Sequence, residues 1–204
     1  MPECLVDAAA RPLESGLKTG GELLGALDGE LGSGGRLVTA VRFDGVDQPT
    51  FRDLQTIGEP LAELERIEIE TCSPRELFTG TLGTARESVD VLVSGAGVVA
   101  SAFRGRDMAR ANGKLAELIE AVRSLATLTA VVGGAVGLDL AALADRPDPA
   151  GAAIGEVSAS LDRLALWQRE RDWIATADCL EYELAPALGG WRRVLDAIEE
   201  GGAR

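Results

Sequence analysis

The side chains best placed for chemistry are three carboxylates near the C-terminus. Asp178, Glu181 and Glu183 lie within DWIATADCLEYELAP, residues 172–186. On a helix Asp178 and Glu181 stand three residues apart and share a face. Carboxylates so grouped can hold a divalent cation or share one proton. A helical carboxylate metal site also needs matching acids, often with histidine, on facing helices. The chain has no histidine, and no second set of acids stands out. The reading preferred here is a solvated acidic face beside a buried Leu180–Leu184 seam. A metal or small-ligand site on Asp178, Glu181 and Glu183 is the alternative. Trp173 and Tyr182, with Asp178 and Glu181, are the candidate contacts for a partner protein, although such aromatics also serve as core or boundary residues with a polar tip in water.

Other catalytic arrangements fail on composition. Without histidine there is no Ser-His-Asp or Cys-His nucleophile and no imidazole metal ligand or proton shuttle. Cys4, Cys72 and Cys179 are far apart and form no CxxC pair, so neither a disulfide framework nor a zinc site is indicated. As nucleophiles Cys72 and Cys179 lack a basic neighbour in sequence. Ser94, in VSGAG, is not part of GxSxG. Gly95-Ala96-Gly97-Val98-Val99-Ala100 fits GxGxxA, the relaxed dinucleotide fingerprint. The residues before it already follow a helical seam that continues in phase beyond it, and the acids about 20 positions on, Glu117 and Glu120, sit in a regular helical pattern. The glycines are read instead as sites of close helix approach or bending. No cofactor is expected, and no enzymatic activity.

Charge narrows the partners. The 204 residues carry a formal net charge of -13 with no basic cluster, which repels nucleic acid and anionic lipid. The N-terminal MPECLVDAAARP lacks the pattern of a secretory signal. The charge-free run from Ser124 to Leu138 is shorter than the ~20 apolar residues that span a bilayer. A cytoplasmic location is expected.

The elements that must position these residues fall into two parts. In residues 1–73, Cys4-Leu5-Val6 reads as a strand broken at Arg11-Pro12, and a second extended piece is expected from Leu13 to Lys18. Thr19 and Glu22 fit a capping box, with Glu22 reaching back to the amide of Thr19, ahead of a helix carrying Leu23, Leu24, Leu27 and Leu31. Arg36–Phe43 alternates as a strand into the Asp44-Gly45 turn, and Glu65–Thr71 alternates again with Ile67 and Ile69 on one face. By element order this part resembles a β-grasp (ubiquitin-like) domain, a likeness that implies a fold and no activity.

Residues 74–204 are helical throughout. Ser73-Pro74 starts a helix with Glu76 in its first turn. Phe78, Leu82, Ala85, Val89, Leu92, Ala96, Val99 and Phe103 then recur at spacings of four and three, the period of helices packed lengthwise. Met108, Ala111, Leu115, Leu118, Val122, Leu125, Thr129, Val132 and Val136 form a second seam. Val132-Gly133-Gly134-Ala135 reads as a helix end or close crossing. After a loop at Asp145–Pro149, a third helix over 150–171 turns Val157, Leu161, Leu164 and Trp167 inward. A fourth uses Ala177, Leu180, Leu184, Ala187, Trp191, Val194 and Ile198, and Pro186 is expected to kink it or split it after Leu184. Four seams imply an antiparallel four-helix bundle.

The C-terminal pattern is similar to that of a family of uncharacterised bacterial proteins. Those proteins combine an Asp-Trp helix start, an Ala-Asp-x-Leu-Glu-Tyr-Glu-Leu centre, a proline and a tryptophan, here Asp172-Trp173, Ala177–Leu184, Pro186 and Trp191. The resemblance implies a fold and no activity. The expectation is a two-domain α+β protein, residues 1–73 and 74–204. Its expected role is non-catalytic interaction with a protein partner or with itself as a homodimer, and chaperoning of helical export substrates is one alternative.

Overall fold

The computed structural model describes residues 2–13 and 16–203. They form an α+β protein with a five-stranded sheet at the N-terminal end and helices after it. Two compact units are present, Met1–Phe78 and Thr79–Arg204.

The first unit contains strands β1 (Glu3–Val6), β2 (Ala9–Arg11), β3 (Leu37–Phe43), β4 (Val46–Asp47) and β5 (Arg66–Cys72). They lie in the order β2-β1-β5-β3-β4, with β1 parallel to β5 and the other pairs antiparallel. Alternation sends Ile67 and Ile69 inward beside Val41 and Phe43, where they meet Leu23, Leu24 and Leu27 of α1 (Gly20–Ser33). A register shift between Val38 and Ala40 lets Val38 join that face, as a bulge does when it adds a residue to one strand.

The second strand is not where the sequence placed it. It precedes Pro12, at Ala9–Arg11, because Asp7 and Ala8 both take left-handed backbone (φ 50° and 63°) and turn the chain at once. A two-residue hairpin requires this conformation, which Asn-Gly normally announces; Asp-Ala does not. Of the stretch expected as that strand, Leu13 lies outside any strand, Gly16 is in a turn, and residues 14 and 15 lie outside the described residues. Thr19 caps α1 as expected, accepting from Glu22 N at 3.3 Å, but the Glu22 carboxylate takes the amide of Lys18 rather than that of Thr19. A short helix α2 (Leu54–Gly58) leads on toward β5.

From Pro74 to Arg104 the chain is one helix, α3, opened by a reciprocal Ser73–Glu76 box. The GAG segment lies inside it, and the seam from Leu82 to Phe103 is buried along its length. After it come α4 (Met108–Ala135), α5 (Leu140–Ala144), α6 (Pro149–Glu170) and α7 (Trp173–Cys179). A π-helical turn, Leu180–Leu184, passes directly into α8 (Ala185–Gly190), and α9 (Arg192–Gly202) follows after Trp191. Pro186 therefore neither splits the helix after Leu184 nor stops it. Proline lacks an N–H and its ring collides with the carbonyl four residues back. The wider turn, in which Ala185 N donates to Leu180 O, accommodates it.

Leu118 of α4 packs beside Gly95 of α3, and Ile198 of α9 beside Gly133 of α4. The Cys179 thiol donates to the Ser160 carbonyl of α6. Gly133 serves both expected roles, since its carbonyl also takes the Val136 and Leu138 amides that end α4. On α6, Val157 and Leu164 are buried with Ala153 and Ser160, while Leu161 and Trp167 are only half-buried. No helix of the described residues is long and apolar enough to cross a membrane.

Candidate functional site

Asp172 caps α7 by accepting the Ala175 amide at 2.9 Å, and that start aims Trp173 at the end of α3. There its ring stacks on Phe103 with centroids 5.8 Å apart and planes 9° from parallel. Phe103 is buried, Trp173 half-buried, and the next residue, Ile174, is 73% exposed.

One turn on, the acidic residues meet arginine. Asp178 Oδ1 accepts from Arg104 Nη2 at 2.8 Å, and Glu181 accepts from Nη1 of the same guanidinium. Hydrogen bonds to Asp178 and then to Glu181 raise the Arg104 pKa above its ordinary value. Tyr182 is 66% exposed, with the Arg104 guanidinium 5.9 Å from its ring centre, within cation–π range. Glu183 points elsewhere and accepts from Arg163 Nε on α6. The three carboxylates thus serve two arginines and do not converge on one point. A cation at Asp178 and Glu181 would have to displace Arg104. Among the described residues no group of three or more Cys, Asp or Glu side chains could hold a metal ion. Beneath this face the Cys179 thiol is pushed up to about 11, by burial first and the Glu183 charge second.

The sequence offered Trp173, Asp178, Glu181 and Tyr182 without their complement. Phe103 lies 70 positions before Trp173, and Arg104 lies 74 before Asp178 and 77 before Glu181, so no local spacing pairs them.

A second surface went unread in the sequence although its signal is present. On α3, Val91 and Val98 are exposed at 71% and 52%, with Ser94 and Ser101 exposed beside them. These positions follow the same three-and-four alternation as the buried seam, displaced around the helix. No charged residue occurs from Val91 to Phe103. Alongside runs a groove between α3 and α4, of about 480 Å³, lined by Thr84, Ser88, Val91, Ala121, Ser124 and Leu128 among others, with Glu87 its one charged residue.

A family model described as a domain of unknown function (DUF8042) matches residues 81–194, more than half of the chain. The matched span contains the Asp172–Pro186 stretch that resembled an uncharacterised family. No curated protein and no solved structure matches the chain.

Proposed function

The chain belongs to this family, DUF8042, and from that premise we propose that it is a non-catalytic interaction module that pairs with a second copy of itself through α3. The observation that carries this reading is the uncharged outer stripe of Val91, Ser94, Val98 and Ser101. Two exposed valines seven residues apart, with only the small Ser94 between them on that face, form a surface suited to another helix. The stripe is also self-complementary. A two-fold axis crossing α3 between Ser94 and Gly95 sets Val91 against Val98 of the second copy and Ser88 against Ser101, the residue-to-residue exchange an isologous dimer requires. The small side chain of Ser94 lets the two helices approach closely at the crossing.

The absence of histidine and the engagement of Asp178, Glu181 and Glu183 by arginines favour a binding role over a catalytic one. The architecture is read as a β-grasp-like domain over residues 1–73 and an antiparallel four-helix bundle over 74–204. The parallel β1–β5 pairing, with α1 against the sheet, supports the first. The pairing of Arg86 with Asp196 and Glu199, and of Arg104 with Asp178 and Glu181, supports the second, because early α3 meets late α9 and late α3 meets α7.

Sedimentation equilibrium tests the proposal. The 21.3 kDa chain should sediment at twice that mass at tens of micromolar. Val91→Asp and Val98→Asp should return it to a monomer with its melting temperature kept, since both side chains are exposed. A wild-type chain that stays monomeric at about 100 µM, a concentration that populates any dimer of ordinary affinity, would sink the reading.

A further inference from the structure

Helices α3 and α6 end in the same unusual way, with an arginine in the left-handed position that follows the helix. Arg106 has φ 62° and Arg171 φ 57°. At the end of α6 the Arg171 amide donates to Gln168 O and the Asp172 amide to Trp167 O, the hydrogen-bond pair of a Schellman cap. Glycine takes this position without steric cost, whereas an arginine pays for its Cβ. In α3 a glycine is adjacent, Gly105, yet Arg106 holds the left-handed conformation.

Both arginines open onto one cleft of about 970 Å³ at the candidate site, whose apolar wall is Phe103, Met108, Trp173 and Ile174. Arg104 also reaches this cleft but is occupied by Asp178 and Glu181. The guanidinium groups of Arg106 and Arg171 form no hydrogen bond or ion pair among the described residues, in a chain with thirteen more acids than bases. Of the two carboxylates in the wall, Asp172 is engaged in capping α7, which leaves Glu170. Two strained loops, from different helices, therefore bring two unspent guanidinium forks to one cleft with an aromatic wall.

We propose that this cleft docks an acidic peptide segment of a partner protein, one in which a carboxylate side chain is followed closely by a large apolar one. The forks of Arg106 and Arg171 take the carboxylates in bidentate fashion. The apolar side chain rests on Trp173, Met108 and Ile174, the anchor arrangement of interface hot spots. A bare inorganic anion would satisfy the arginines but leave that wall exposed to water, which is why a peptide is the fitting occupant. This site does not use the α3 stripe, so its test stands apart from that of self-association.

Titration calorimetry with a synthetic peptide alternating glutamate with leucine and phenylalanine provides the test, against the same peptide with lysine for glutamate and against inorganic phosphate. The acidic peptide should bind saturably and the lysine peptide should not. The double variant R106G/R171G should bind it about tenfold or more weakly, with a melting temperature equal to or above wild type because glycine relieves both left-handed positions. The pair R106K/R171K keeps the charge but loses the forks, and should weaken binding several-fold. Unchanged affinity in both double variants would overturn the proposal. So would equal binding of the lysine peptide, or saturable phosphate binding with no peptide binding.

Discussion

Trp191 shows how one buried polar atom is satisfied in this mostly aliphatic interior. Its Nε1 donates to Thr129 Oγ1 at 3.1 Å, and that hydroxyl donates onward to the Leu125 carbonyl at 2.7 Å. Both side chains are nearly inaccessible. Thr129→Val keeps the shape but orphans the indole N–H, and should cost about 1–3 kcal/mol in urea unfolding, with Thr129→Ser close to wild type. Equal stability of the two variants would show that the bond contributes nothing. Asp7 offers a second test. Its carboxylate accepts from the Thr71 hydroxyl at 2.7 Å, the Thr71 amide at 2.8 Å and Arg36 at 3.1 Å. These partners, the Thr71 hydroxyl foremost, hold its pKa below the ordinary value. A lowered folded-state pKa gives stability that is present above the unfolded value of about 4 and lost as pH falls through the folded one. Asp7→Asn should therefore lose less stability than wild type between about pH 6 and pH 3. The effect is small, since the carboxylate is 42% exposed and screened. Parallel declines in urea midpoint would count against this account.

Among the elements, glycines and the proline separate local propensity from tertiary need. A Cβ on Gly151 would lie 2.2 Å from the Arg146 carbonyl oxygen and 2.8 Å from that of Leu143, where α5 abuts the start of α6. Gly151→Ala should cost about 1–3 kcal/mol through overpacking. Gly97 is the opposite case. It lies within α3 with nothing within 4 Å of its missing Cβ, so the close approach expected there is absent, and Gly97→Ala should gain up to about 1 kcal/mol of helix propensity. Denaturant midpoints that shift in the same direction for both would contradict the packing described. Pro186 was legible as a disturbance but not as a π-turn. Proline's chemistry states which hydrogen bond is lost, whereas the packing of Leu180, Leu184 and Leu188, all fully buried, decides that the helix continues.

For the molecule as a whole, net charge governs association. Two copies each carrying -13 repel one another, while the α3 stripe proposed to join them is uncharged. Salt should therefore strengthen the dimer, with a lower dissociation constant at about 300 mM than at about 20 mM as the Debye length shrinks. The acidic-peptide cleft should respond in the opposite sense, because its contacts are ion pairs. Dimer affinity that weakens with salt would point to a charged interface in place of the stripe.

What the sequence determined by itself was periodicity. The two-residue alternation of β3 and β5 and the seam from Leu82 to Phe103 are properties of neighbouring residues, and each forces one face inward wherever the element lies. The Ser73-Pro74 helix start and the Thr19 cap were legible for the same reason, since a cap acts within four residues. Only the tertiary structure could decide which side chains far apart in the chain share a surface. Asp178 and Glu181 have the same helical spacing whether they face water, a metal or Arg104, and the approach of α3 to α7 selects Arg104. The left-handed Asp7, Ala8, Arg106 and Arg171 were hidden likewise, because none is a glycine. Their conformations are imposed by the strands and helices they join, which override the preference of the residue itself.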